Sequence, residues 1–311
     1  MNKKASYTAA GTFPMKLVGS GFNRNGKIRP FHVQLNPTNL CNLNCSFCSC
    51  SNRDKALSID FDKLKDIMGK FIAMGCRAVT ITGGGEPLLY KEINDVIHFL
   101  YSQGVRSGLV TNGTKLENLK TEELTWVRVS ASDSREFDSD ALRAAVKRMP
   151  DIDWSLSYVL SEKPNIQNIM KTVELANIFN FTHVRIVSDL LNLKNVSMIE
   201  VMKHIEASQI NDNKIIYQER KEFTPGRKDC WISLLKPVVG ADGKIYPCCG
   251  VQYAEREPSL DYNEGMCMGD DIKSIWSQQN PFDGSKCVKC YYSAYNHLLS
   301  EMKSLSHVDF V

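Results

Sequence analysis

The chain lacks any long apolar run: none of its 311 residues lies in a stretch approaching the roughly 18 apolar residues that span a bilayer. It also lacks a dominant charge. Lys and Arg number 38 against 35 Asp and Glu, for a net charge of +3, so bulk electrostatics gives no argument for nucleic acid. Long internal repeats and low-complexity tracts are missing, which excludes solenoids and disordered linkers. Acidic residues are missing from the first thirty positions, which carry Lys3, Lys4, Lys16, Arg24, Lys27 and Arg29 among frequent Gly and Asn. Residues 1–30 are expected to form an irregular basic arm, either a solvated tail or a contact for an anionic substrate, the tail being preferred. That arm has no apolar core of a secretory signal, so the expected compartment is the cytoplasm, where thiols stay reduced.

Cysteine, by contrast, is abundant, with eleven residues. A chain that is 43% hydrophobic and 23% charged has material for an ordinary core and no need of disulfide staples. Clustered reduced thiols point instead to a metal or redox protein. Cys76, alone in an apolar helical stretch, is expected to be buried and inert.

From residue 31 strands and helices alternate. Phe31–Leu35, Ala78–Thr82, Ser107–Thr111, Trp126–Ser130, Trp154–Leu160 and His183–Val187 read as strands. Residues Ser58–Met74, Glu92–Ser102, Ser139–Met149, Asn165–Ile178 and Met198–Ala207 read as helices. Six strands alternating with helices predict an α/β fold with a parallel sheet, open or curled into a partial barrel, and chemistry at the carboxyl ends of the strands. Near Thr224-Pro225-Gly226 the rhythm stops, and six of the eleven cysteines follow between 230 and 290. The expected organisation is an arm over 1–30, a barrel over 31–225 and a small metal-stabilised domain with a tail over 226–311.

After the first strand comes Cys41-Asn-Leu-Asn-Cys45-Ser-Phe-Cys48. Structural zinc usually takes a closed set of four ligands, whereas three thiolates suit a [4Fe–4S] cluster with one iron open. The C-x3-C-x-aromatic-C pattern, with Phe47 at the aromatic position, resembles the radical S-adenosylmethionine (SAM) superfamily. The resemblance implies a partial (β/α)6 TIM-type barrel, a catalytic [4Fe–4S] cluster on Cys41, Cys45 and Cys48, and SAM on the open iron. Cys50 could replace one of the three or close the site; an unligated neighbour is expected.

The second strand ends in Thr82-Gly83-Gly84-Gly85-Glu86-Pro87. Taken alone this is a tight turn, although glycines also let a ligand approach the backbone and Glu86 can accept from an ammonium. By resemblance, Gly83, Gly84, Gly85 and Glu86 hold the amino group of SAM. Thr111 and Asn112, ending the third strand, resemble stretches found at that point in the family. Ser130 and Ser132 can bind the ribose or carboxylate of SAM or act as turn caps. Arg185 can pair with a carboxylate or make a structural ion pair, and Phe47 can back the adenine or pack.

Cys230 precedes Cys248 by seventeen intervening residues, and thirty-eight more lead to Cys287-Val-Lys-Cys290. Asp242-Gly243 looks like a hairpin turn that returns Cys248 to a four-thiolate site. On spacing, zinc and iron–sulfur both stay open. The order resembles the Twitch domain, a shorter relative of the SPASM domain, which implies an auxiliary [4Fe–4S] cluster on Cys230, Cys248, Cys287 and Cys290. Cys267 is the reserve ligand, and Cys249 is left over.

The resemblance implies an enzyme that cleaves SAM reductively to a 5′-deoxyadenosyl radical, which takes hydrogen from a substrate. A small molecule or nucleotide is the expected substrate, with oxidation or rearrangement as the outcome. The auxiliary cluster would relay electrons, and the external reductant would be a flavodoxin or ferredoxin. Modification of a ribosomal peptide is an alternative, lowered because thirty irregular residues cannot form the winged helix that such relatives carry. Modification of a DNA or RNA base is another, and a non-catalytic metal-binding module a third; Glu86 and the glycine run count against that last one. The residues name no catalytic acid or base.

Overall fold

A computed structural model describes residues 16–19, 22, 27–132, 139–161, 163–189, 198–210, 213–218, 224–250, 266–269, 271–287, 290 and 292–304. Lys3, Lys4 and Arg24 of the basic arm lie outside the described residues.

The six expected strands are present as β1 (His32–Leu35), β2 (Ala78–Ile81), β3 (Arg106–Thr111), β4 (Trp126–Ser132), β5 (Asp153–Val159) and β6 (Val184–Val187). A seventh, β7 (Ile215–Gln218), extends the series. All seven pair in sequence order, each parallel to the next. The sheet does not close: β7 lies at one edge. The helices α1 (Phe61–Ala73), α2 (Ile93–Ser102), α3 (Ser139–Arg148), α4 (Ile166–Ile178) and α5 (Met198–Ala207) fall where the periodicity places them. Side-chain caps fix two of their starts. Asp60 accepts from the Lys63 N–H at 3.0 Å, and Asn165 from the Asn168 N–H at 3.1 Å. This is a mixed α/β fold of the partial TIM-barrel type.

Alternation along the strands sorts their two faces. Val33, Leu35, Ile81, Leu109, Val127, Val129, Leu156 and Ile186 are buried in the hydrophobic core. The opposite face is the more polar one: Gln34, Thr80, Arg128, Ser130, Ser155, Ser157 and Arg185 stand on it beside Val110, Trp126, Val159 and Val187.

The segment beyond 225 is built into the barrel. Its strands β9 (Val238–Val239) and β10 (Ile245–Tyr246) continue the sheet beyond β1, with β9 parallel to β1 and β10 antiparallel to β9. The expected hairpin joins them: Gly243 turns at φ +75° and Tyr246 donates to Asp242 Oδ2 at 2.6 Å. A separate ribbon pairs β8 (Asp229–Cys230) with β11 (Phe282–Asp283). Its described residues also hold the short helices α6 (Ile232–Leu235) and α7 (Ile272–Ser277) and the longer α8 (Ser293–Ser304). Trp276 of α7 packs edge-on against Phe71 of α1 at 5.2 Å. Gln279 clasps Ile28, accepting from its N–H at 2.6 Å and donating to its carbonyl at 2.9 Å.

Candidate functional site

The cysteine loop leaves the carboxyl end of β1 and is seated on the glycine run. The Gly85 N–H donates to the Thr38 carbonyl at 3.0 Å, and the Glu86 N–H to the Leu40 carbonyl at 2.8 Å. A Cβ on Gly85 would lie 2.0 Å from the Leu40 oxygen, so only glycine lets the two chains approach. At this position the close neighbour is the protein's own loop. Asn42, inside the cysteine loop, donates to Thr114 Oγ1 at 2.8 Å and accepts from Asn112 at 3.1 Å, which ties the loop to the end of β3.

Glu86 is buried and accepts from at least three donors. Three are the Leu88 N–H at 3.0 Å, the Thr111 hydroxyl at 2.6 Å and the Asn112 N–H at 2.7 Å. Satisfied this way, a buried carboxylate joins the ends of β2 and β3.

These elements enclose a cavity of about 300 Å³. Cys41, Cys45, Cys48, Cys50 and Phe47 line one side, Thr82 to Glu86 another, and Thr111, Asn112 and Ser130 a third. Of the residues singled out from the sequence as SAM contacts, Ser132 and Arg185 are not among those lining it. Ser132 is buried at the end of β4. Arg185 donates to Gln218 across the β6–β7 pair.

The Cys48 thiol is pulled down to about 5, first by a hydrogen bond from Cys50, with burial opposing and Arg53 assisting. Cys50, the donor in that bond, is pushed well up. Arg53 is a residue that spacing gave no reason to single out. It is buried, donates to the Asn39 and Cys50 carbonyls at 2.9 and 2.7 Å, and points Nη1 at Cys48 Sγ at 3.6 Å. Its cation therefore braces both ends of the loop and faces a thiolate.

Cys230, Cys248, Cys287 and Cys290 line a second, small cavity of about 20 Å³ together with Asn296. Burial and neighbouring thiols push Cys230 up to about 11, Cys287 up to about 12 and Cys248 well up. Burial and one another's charge disfavour ionising Cys230, Cys248 and Cys287 together. Asn296, fixed by accepting from the Ile232 N–H at 3.0 Å, donates to Cys230 Sγ at 3.6 Å. Cys249 is exposed, Cys76 is buried in the core, and neither Cys249 nor Cys267 lines the cavity. All eleven cysteines are free of disulfides. Both all-thiol donor sets suit iron–sulfur ligation. Among the described residues, no group of three His, Cys, Asp or Glu stands close enough to hold a single metal ion. Among them, too, no helix is long and apolar enough to cross a membrane.

A family model of the Radical SAM superfamily matches residues 35–206, from β1 to α5. A GTP 3′,8-cyclase of Mannheimia succiniciproducens is 25% identical over 171 residues, 53% of this chain and 46% of that protein. An S-adenosylmethionine-dependent nucleotide dehydratase of Lacinutrix mariniflava is 27% identical over 133 residues, 40% of this chain and 28% of that protein. The match therefore spans less than half of either relative's length. Among solved structures, Streptococcus suis SuiB bound to the precursor peptide SuiA aligns with a TM-score of 0.58. The two share 14% identity over 87% of this chain and 69% of that one, a likeness of fold.

Proposed function

The chain belongs to the radical SAM superfamily, and we propose that it is an enzyme whose larger cavity takes a [4Fe–4S] cluster and SAM. Cys41, Cys45 and Cys48 would hold the cluster, leaving one iron open for SAM. Bound there, the pair supplies a 5′-deoxyadenosyl radical once a flavodoxin or ferredoxin delivers an electron.

The chain's own residues bind, orient and exclude water. Gly83, Gly84 and Gly85 present the backbone rim, and Glu86 accepts from the ammonium of SAM. Thr111 and Asn112 fix that carboxylate, and Ser130 meets the ribose. Phe47 covers the adenine. Arg53 holds the loop and compensates thiolate charge, while Cys50 stands by as an unligated neighbour. The segment 226–311 would carry an auxiliary [4Fe–4S] cluster on Cys230, Cys248, Cys287 and Cys290 as an electron relay, in the manner of a Twitch domain. The substrate class we favour is a nucleotide or another small molecule, in line with the cyclase and the nucleotide dehydratase, and the compartment the cytoplasm.

The observation that carries this reading is the convergence of three thiols, the glycine run and Glu86 on one cavity at the carboxyl ends of β1 to β3. Anaerobically reconstituted protein given dithionite and SAM is expected to release 5′-deoxyadenosine. Replacing Cys41, Cys45 and Cys48 together with Ala should abolish release. A parent protein with a full iron complement that releases none overturns the proposal.

A further inference from the structure

Among the described residues that line the larger cavity, Arg53 is the one base and Glu86 the one acid, and they do not pair. Among the described residues no carboxylate pairs with Arg53 at all. Its bonds go to two backbone carbonyls and one sulfur. A guanidinium stays charged in proteins, so a full positive charge stands buried in the wall of the cysteine loop.

The chain itself places that charge. The Ser51 N–H donates to the Cys48 carbonyl at 3.1 Å, and the Arg53 N–H to the Cys50 carbonyl at 3.2 Å. These turns bring residue 53 back towards residue 48. Nε then fastens on the Asn39 carbonyl at 2.9 Å, ahead of the cysteine loop, and Nη1 on the Cys50 carbonyl at 2.7 Å, behind it. A planar fork held at both points has little freedom to swing, and it presents Nη1 to Cys48 Sγ at 3.6 Å. Cys41 and Cys48 therefore differ. Cys41 Sγ accepts from the Leu43 backbone N–H at 3.5 Å, whereas Cys48 faces a fixed cation.

The consequence is electrostatic. Three thiolates outweigh the charge of a four-iron core, so such a cluster is an anion before reduction and a stronger one after it. Where water is scarce, that negative charge opposes the incoming electron. A cation close to one thiolate favours the more negative state, and hydrogen bonds to the sulfurs are among the factors that set the potential. We propose that Arg53 poises the catalytic cluster for reduction. It is a positioning residue that acts through Cys48, holding one positive charge at the cluster edge and raising the reduction potential towards that of the flavodoxin or ferredoxin donor. One electron leaves the donor, which is oxidised, and takes the core from 2+ to 1+; no proton moves, because the guanidinium keeps its own. This deepens the reading above and rests on its cluster at Cys41, Cys45 and Cys48.

The test is a redox titration of the reconstituted full-length protein, followed by electron paramagnetic resonance. The signal that changes when SAM is added identifies the cluster with the open iron. Arg53→Gln removes the charge, and Arg53→Lys keeps it without the fork. The reduction equilibrium of that signal should fall about tenfold or more in Arg53→Gln, about 59 mV for a one-electron couple, and stay within about threefold in Arg53→Lys. A mere brace would instead lower the iron content of both variants and leave the potential of the remaining clusters unmoved. An unchanged potential in Arg53→Gln, or an equal fall in Arg53→Lys, would overturn the inference. An unchanged potential with weakened SAM binding would also overturn it, and would assign the guanidinium to the SAM carboxylate. If Arg53→Gln takes up no iron, parent protein carrying nitrogen-15 arginine decides. Pulsed resonance of its reduced open cluster should show a nitrogen-15 coupling that Arg53→Lys lacks, and no coupling in the parent counts against the contact. A parent without any SAM-responsive signal would sink the cluster reading and this inference together. A SAM-responsive signal with an unmoved potential sinks this inference alone.

Discussion

The Thr111 hydroxyl donates to Glu86 Oε1 at 2.6 Å, so the end of β3 is fastened to the turn after β2 by a bond to a buried carboxylate. The same oxygen accepts from the Leu88 N–H. Losing the hydroxyl leaves the carboxylate with fewer donors where water is scarce. Thr111→Val conserves shape and removes that donor together with the acceptor of the Gly113 N–H. It should lower unfolding stability by about 1.5–3 kcal/mol, the range for a hydrogen bond to a charged group. Urea denaturation of the apoprotein checks this, and a midpoint unchanged at equal slope would show the bond to be idle. SAM affinity should fall as well, because the carboxylate gains freedom to turn.

Gly85 makes a sharper case, because the obstruction is backbone. A methyl group there meets the Leu40 oxygen at 2.0 Å, and neither strand end has a flexible side chain to give way. Gly85→Ala should therefore displace the cysteine loop and leave the barrel folded. The expected signature is a loss of about four irons per chain after reconstitution, one cluster's worth, with the circular dichroism of the parent. Full iron content would show that the loop needs no such seat.

The auxiliary thiols predict a count. Reconstituted parent should contain about eight irons per chain, and Cys287→Ala about four, with 5′-deoxyadenosine release from SAM alone retained. About four irons and one zinc in the parent would assign the second site to zinc. The small cavity among these cysteines must widen to admit a cluster. Burial raises Cys230, Cys248 and Cys287, so metal loading should release protons and raise the thermal midpoint.

Much of the site was legible because its chemistry is local in sequence. Cys41, Cys45 and Cys48 lie on one loop, and Glu86 follows its glycines directly. The six barrel strands announced themselves through apolar runs between turn residues. What escaped notice is nonlocal or short. Strands β9 and β10 are two residues each, too brief for any period, and they exist because β1 leaves an edge to pair. Arg53 looks like one more polar loop residue until its three acceptors are seen across the fold. Arg185 invited pairing with a ligand carboxylate. In the structure it reaches sideways to Gln218, on a strand the sequence did not reveal. Nothing in the local sequence marks Arg128, which stands on the polar inside of the partial barrel.

That polar inside also sets a pH dependence. His183 is buried, and its pKa is lowered from 6.5 to about 4 by burial first, then by Arg128 and Arg185. The unfolded chain binds a proton near 6.5, while the folded chain resists until about 4. Between those values the unfolded state holds more protons, so acid favours unfolding. The contribution is intact above about pH 6.5 and is lost progressively as pH falls towards 4. Between pH 7 and pH 5 it amounts to about 2 kcal/mol. Urea unfolding of the parent and of His183→Gln at both pH values isolates this part, since other titrating groups cancel in the difference. The variant should lose about 2 kcal/mol less than the parent on acidification. Equal losses would mean that His183 is protonated as easily folded as unfolded. Arg128→Gln should give an intermediate loss, because removing one neighbouring cation lets the imidazole accept its proton at higher pH.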